Sequence, residues 1–184
     1  SGKGLSELAN DMRATGLLQL NLDNYNSELY SKKQAIYAEG KRPRLLYYIV
    51  KGKVKGFKTH EDGKEYITDL YSDGDFLGYP ALIEEKNYDD SAVALEETEI
   101  IQIPREDFQQ MIEGDITVAS KFIKIITQNV KEKEERLLNL AYSSLRKRVA
   151  RALVDIHGKF NSAGENKPIE ISREDISHYV GTAT

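Results

Sequence analysis

His60, His157 and His178 are the only histidines in the 184-residue sequence, and no cysteine accompanies them. A neutral imidazole can ligate a metal or a haem iron or act as a general base, but each task needs partners at fixed helical or strand spacing. No such spacing is offered. His60 falls in the turn-like run His60-Glu61-Asp62-Gly63, His157 near a helix end, and His178 in the helix that follows Ser172. The lack of cysteine removes thiolate metal sites, iron–sulfur clusters, disulfides and cysteine nucleophiles in one step. The strand-like segments carry no histidine that could converge with carboxylates on a metal. No metal, no cofactor and no catalysis are therefore expected.

Phosphate handling is the other chemistry to consider, and it needs cations. No arginine lies between Arg44 and Arg105, and Lys86 is the only basic residue between Glu65 and Pro104. Residues 1–60 hold 11 Lys/Arg against 5 Asp/Glu, residues 61–113 hold 3 against 16, and residues 114–184 hold 12 against 9. The middle segment reads as a solvated acidic face and a poor surface for nucleic acid, whereas the flanks permit it. Arg146, Lys147, Arg148 and Arg151 form the densest basic cluster, on one side of a helix.

The elements that must position these residues follow from periodicity. Leu5, Leu8, Ala9 and Met12 predict a lead-in helix within residues 1–21. Residues 45–50, 54–59, 66–71, 91–95 and 99–103 read as strands, separated by turn signals such as Lys51-Gly52 and Ser72-Asp73-Gly74-Asp75. Short strands with turns about every ten residues predict an antiparallel β jelly roll over 22–114, in an α+β chain. A short helix is expected over 105–112, opened by Pro104 and ended by Gly114.

From Ile116 the period becomes that of a coiled coil. Ile116, Ala119, Ile123, Ile126, Val130, Lys133, Leu137 and Leu140 fall at alternating steps of three and four, an a/d seam in a long helix over 115–142. A second copy of the chain is the natural partner, giving a parallel homodimer; a monomeric helix packed on the β domain is the alternative. Lys133, the polar seam position, reads as a register device or a snorkelling stem. Residues 143–184 begin with a helix over about 143–157 and a polar loop. Ile169-Glu170-Ile171 then reads as a strand, and a last helix starts at Ser172. Ser172-Arg173-Glu174-Asp175 resembles a capping box with Asp in the Glu/Gln place, and Gly181 stops the helix.

In this order the pieces resemble the Crp/Fnr (catabolite activator) family of bacterial transcription regulators over roughly residues 22–184. Those pieces are Leu46-Tyr47-Tyr48-Ile49-Val50-Lys51-Gly52-Lys53-Val54, Asp62-Gly63-Lys64-Glu65, Gly74-Asp75-Phe76-Leu77-Gly78, Asn139-Leu140-Ala141-Tyr142 and Ile171-Ser172-Arg173-Glu174-Asp175-Ile176 with Val180-Gly181. The resemblance implies a jelly roll that senses an effector, a dimerising long helix, and the start of a winged helix-turn-helix that reads DNA. Its second helix and wing would lie past Thr184. Ser172 and Arg173 match a place that touches DNA phosphate, with Arg146, Lys147 and Arg148 adding nonspecific attraction.

The effector pocket implied by the resemblance comprises Gly78, Tyr79, Pro80, Ala81, Tyr88, Asp89, Asp90, Ser91, Lys133 and Glu134. The departures are informative. Tyr79-Pro80 stands where cyclic-AMP-binding members place a ribose-holding glutamate. The phosphate-pairing arginine falls on Tyr88, or on Asp90 with a two-residue gap, and the adenine-contacting Thr-Ser pair maps to Lys133-Glu134. A pocket without those ligands should reject cyclic nucleotides and suit an uncharged or apolar effector, or none. The alternative to a DNA-binding regulator is a regulatory module of the same superfamily controlled by another protein or an upstream domain. With no apolar leader and no run long enough to span a bilayer, a cytoplasmic protein away from membranes is expected.

Overall fold

The computed structural model describes residues 22–161 and 167–181. The expected lead-in helix, residues 162–166 of the polar loop and residues 182–184 lie outside them. A short 3₁₀ turn, Leu22–Asn24, leads into eight strands. They are β1 (Ser27–Tyr30), β2 (Ala35–Tyr37), β3 (Leu45–Lys51), β4 (Lys53–Thr59), β5 (Glu65–Ser72), β6 (Phe76–Leu77), β7 (Ser91–Ala94) and β8 (Thr98–Pro104). Helix α1 (Tyr79–Glu84) sits between β6 and β7. After β8 come α2 (Arg105–Gly114), α3 (Ile116–Tyr142), α4 (Leu145–Phe160) and α5 (Arg173–Val180). Among the described residues no helix is long and apolar enough to cross a membrane.

The strands form two four-stranded antiparallel sheets, β1-β8-β3-β6 and β2-β7-β4-β5. This is the expected jelly roll. Strand β3 shows why its sequence is apolar without a break. Tyr47 and Ile49 point between the sheets, where they join Val54, Leu77, Ala92 and Ile100. Leu46 and Tyr48 point the other way, into a second cluster with Phe76, Ile103, Phe108, Val118 and Phe122. A strand buried on both faces loses the polar half of its alternation. The second cluster seats the helices: the Phe122 ring of α3 lies 5.2 Å from that of Phe76 and 5.1 Å from that of Phe108. Burying one such ring is worth roughly 1.5–3 kcal/mol, so Phe122 and Val118 hold the first half of α3 to the jelly roll.

Strands β1, β2 and β6 were not expected, because two to four residues carry too little alternation to register. The strand expected over 169–171 is corrected: those residues make no ladder among the described residues, and a strand exists only through its partner. Helix α3 starts where expected, with the Asp115 carboxylate accepting from the Thr117 N–H at 2.8 Å.

The β3–β4 hairpin turns on Gly52, at φ 132°, where its N–H donates to Asp73 Oδ1 at 2.8 Å. A Cβ there would lie 2.3 Å from Thr98 Oγ1 and 2.7 Å from Thr98 Cα, in the fully buried start of β8. Neither backbone nor hydroxyl can give way. Gly52→Ala is expected to lower stability by about 3 kcal/mol or more, read from the urea midpoint; an unchanged midpoint would contradict this account of the turn.

Candidate functional site

A cavity of about 310 Å³ lies between the β4–β5 sheet and the second half of α3. Strand β5 supplies Tyr66, Thr68, Asp69 and Tyr71, β4 supplies Lys58, and β2 supplies Tyr37. Gly78, Pro80 and Ala81 close one end, Tyr88, Asp89 and Asp90 another, and Lys133, Arg136 and Leu137 of α3 form the roof. Gly78 is left-handed, φ 85°, and a Cβ on it would meet the Tyr47 ring at 3.3 Å and the Tyr88 hydroxyl at 3.5 Å. Only glycine lets the chain turn from β6 into α1 so close to both.

Seven of the residues expected at the pocket do line it: Gly78, Pro80, Ala81, Tyr88, Asp89, Asp90 and Lys133. Tyr79, Ser91 and Glu134 do not. Tyr79 begins α1 and turns into the second core cluster, where its hydroxyl accepts from the Asn129 amide of α3. The Ser91 hydroxyl accepts from the Glu39 N–H at 2.9 Å, and Glu134 points to solvent.

The expected neutral lining is also corrected. Three cations reach the cavity, Lys58, Lys133 and Arg136, and all come from β4 or α3, outside the stretch that lacks basic residues. Each is already engaged. Lys58 pairs with Asp89 at 3.2 Å and Lys133 with Asp69 at 3.3 Å. Arg136 donates to the carbonyls of Thr68 (2.9 Å), Ile67 (3.0 Å) and Tyr179 (3.1 Å), and its guanidinium lies 4.1 Å from the Tyr179 ring centre. Lys133 is therefore not a free stem: it reaches back to its own β5.

Burial sets the pocket's protonation. The Asp90 carboxyl is pushed up to about 7, first by burial and then by the charges of Asp69 and Asp89, with Lys133 and Lys58 opposing. Burial also raises the Asp69 carboxyl, against Lys133 and Arg136. Tyr37, Tyr71 and Tyr88 are raised above the ordinary phenol value by burial, so all three stay neutral.

The long helix presents two faces. Val118 and Phe122 are buried, while Ile116, Ile123, Val130 and Leu137 are each more than half exposed and Ile126 is 37% exposed. Ala119 is half-buried, and Leu140 lies against Gly181 at the end of α5. At α5, Ser172 Oγ accepts from the Asp175 N–H at 3.0 Å, but the reciprocal half of the capping box is absent. The Asp175 carboxylate instead takes Lys55 Nζ at 2.6 Å. Ser172 and Arg173 are exposed, as are Arg146 and Lys147 on α4, while Arg148 is half-buried. Glu65, Asp175 and His178 bring their ligand atoms within 4.8 Å of one another where α5 meets β5. The Lys55 ammonium already lies against both carboxylates, so the group works as an ion-pair cluster.

A jelly roll whose pocket is roofed by a long helix defines a class, and comparison with known proteins specifies it. Residues 27–115 match the cyclic nucleotide-binding domain family. The chain is 29% identical over 166 residues to the cyclic AMP receptor protein of Thermus thermophilus, covering 90% of this chain and 75% of that one. FixK2 of Bradyrhizobium japonicum superposes with a TM-score of 0.76 at 25% identity, covering 85% of this chain and 77% of that one. The c-di-GMP responsive global regulator CLP of Xanthomonas campestris shares the fold, with a TM-score of 0.76 at 18% identity over 90% of this chain and 84% of that one. Residues 27–115 thus carry a cyclic nucleotide-binding domain, and the relatives that match most of the chain are Crp/Fnr-type transcription regulators, which are not enzymes.

The Asp90 carboxyl yields a pH prediction. Its folded value lies above its unfolded one, so the stability it contributes is present below about pH 4 and is lost as pH rises through about 7. Asp90→Asn removes that loss. The variant should gain on the wild type between pH 4 and 7 by on the order of 2 kcal/mol, allowing for solvent near the carboxyl. Urea unfolding of both proteins at acid and at neutral pH measures the gap; a gap independent of pH would contradict the assignment.

Proposed function

We propose that this chain is the sensor and dimerisation part of a cytoplasmic, homodimeric, DNA-binding transcription regulator whose pocket does not take cyclic nucleotides through a paired phosphate. The observation that carries this is the engagement of every cation in the pocket. A cyclic phosphate would have to part Lys58 from Asp89 or Lys133 from Asp69, or draw Arg136 off three carbonyls, and would still face Asp90. An anion gains nothing from a cation that must first abandon a carboxylate of equal charge. The names of the relatives support a pocket that senses a small molecule, and several record cyclic AMP, among them the Thermus thermophilus receptor protein and the cAMP-activated regulator CRP of Salmonella typhimurium. Retention of the fold with a pocket whose cations are all engaged favours a different effector for this chain.

The homodimer is supported by the outward face of α3. Ile116, Ile123, Ile126, Val130 and Leu137 form an exposed apolar stripe at heptad spacing on the side away from the jelly roll. A stripe of this length exposed on a single chain calls for a partner helix. DNA contact through Ser172 and Arg173 is part of the same reading. Both stand at the exposed start of α5, where a phosphate could reach the Arg173 side chain; the Ser172 hydroxyl already serves as a cap.

Two measurements test these statements. Calorimetric titration with cyclic AMP and cyclic GMP should give dissociation constants weaker than roughly 1 mM, and a value near or below about 10 μM would overturn the reading of the pocket. Sedimentation should show a dimer at roughly tens of micromolar, and replacing Ile126 and Val130 by Asp should yield folded monomers, since the new charges would be desolvated against their symmetry mates. A monomeric wild type would overturn the dimer.

A further inference from the structure

We propose that the effector of this pocket carries a cationic nitrogen, an ammonium or amidinium group on a small apolar stem, which binds the Asp90 carboxylate. The proposal rests on the reading of the cavity as the effector site. Once Lys58 has taken Asp89 and Lys133 has taken Asp69, Asp90 is the carboxylate left over: among the described residues it forms neither a hydrogen bond nor an ion pair. Two further oxygens in the cavity, Thr68 Oγ1 and Tyr88 Oη, are buried without a well-formed hydrogen bond, their nearest polar neighbours being the Asp69 carboxylate and the Tyr47 hydroxyl, and Tyr88 as a whole is only 5% exposed. The chain keeps space open beside them. A side chain on Gly56 would begin 3.3 Å from Asp90 Oδ2, 3.3 Å from Thr68 Oγ1 and 3.3 Å from Tyr71 Cε2.

The unmet demand at Asp90 is for a hydrogen-bond donor. A carboxylate only accepts, and each hydroxyl can donate once but accept more often. An ammonium brings up to three donors and the opposite charge; a phosphate or carboxylate brings acceptors and repulsion. The walls suit the rest of such a molecule. Tyr37 and Tyr88 stack at 4.0 Å with their planes 11° apart, and with Tyr71 they give an aromatic lining that attracts a cation and accepts an apolar stem. A volume of about 310 Å³ accommodates a small amine.

Three probes of one shape separate the possibilities: phenethylamine, phenethyl alcohol and phenylacetate, which end in an ammonium, a hydroxyl and a carboxylate. Titrated calorimetrically into the full chain at about pH 8, where the carboxyl is ionised, the amine should bind at least about tenfold tighter than the alcohol, and the acid weakest. Asp90→Asn should bring the amine to the level of the alcohol while the urea midpoint confirms a folded protein. An amine that gives no heat, an alcohol or acid that equals it, or full affinity in Asp90→Asn would each overturn the proposal. Cyclic AMP titrated in parallel keeps the two ideas apart. Tight binding of cyclic AMP would overturn the reading of the pocket, whereas weak binding of all four compounds would overturn the cationic effector alone.

Discussion

The side chain on which the arrangement of parts depends is Arg136. Among the described residues its guanidinium has no carboxylate partner; it is held by three carbonyl oxygens, two on β5 and one on α5, and by the face of Tyr179. Five N–H groups in a rigid fork can satisfy several carbonyls at once, which a lysine could not do. These contacts fix the rotation of α3. With Asn129, Lys133 and Arg136 facing the body of the protein, the apolar positions from Ile116 to Leu137 must face out. The same bonds place the roof of the pocket and seat α5 on the edge strand β5. Pocket, outward stripe and α5 thus share one side chain.

Around this joint the charges of the chain find one another. The acidic middle segment reads from the sequence as a solvated face, yet its carboxylates are the partners of lysines from the two flanks. Lys53 meets Glu96, Lys58 meets Asp89, Lys133 meets Asp69, Lys159 meets Asp75, and Lys55 meets Glu65 as well as Asp175. Exposed pairs of this sort add little stability individually. The pairs Lys55–Asp175 and Lys159–Asp75 are mostly buried, and there the loss of one partner would strand the other in a poor solvent. The segregation of charge along the chain is therefore internal complementarity between the β domain and the helices that lie on it.

How far the sequence discloses this depends on how local each signal is. Strands of seven or eight residues and a heptad seam repeat their pattern often enough to be read, and β3, β4, β5 and α3 fall where the periods place them. The fold was legible for that reason, and glycines at Gly52, Gly78 and Gly181 mark turns that side chains would strain. The site was legible where it is contiguous, at Gly78, Pro80 and Ala81 and from Tyr88 to Asp90, and beyond that only at Lys133. Asp69 and Thr68 look like ordinary strand residues until α3 covers them. Arg136 sits in the charged run 131–136, which reads as a solvated surface, because carbonyl oxygens leave no trace in side-chain type. Asp175 looked like half of a capping box, and a lysine distant in sequence claimed it instead. Long-range pairing decided each of these, and periodicity does not encode it.

The pocket's chemistry limits how a bound effector could be felt elsewhere. A ligand shifts a conformational balance only by the difference in its affinity for the two states. A ligand held by Asp90 alone would leave α3 where it is. Asp90, however, lies in the field of Lys133 and of Asp69, and Lys133 is the link between Asp69 and the long helix. A cation seated on Asp90 lowers the negative potential that holds Lys133, while an empty, ionised Asp90 strengthens it. For the cationic effector proposed above, occupancy would be expressed as a change in the hold of β5 on α3, one helical turn before Arg136 and the contact with Tyr179.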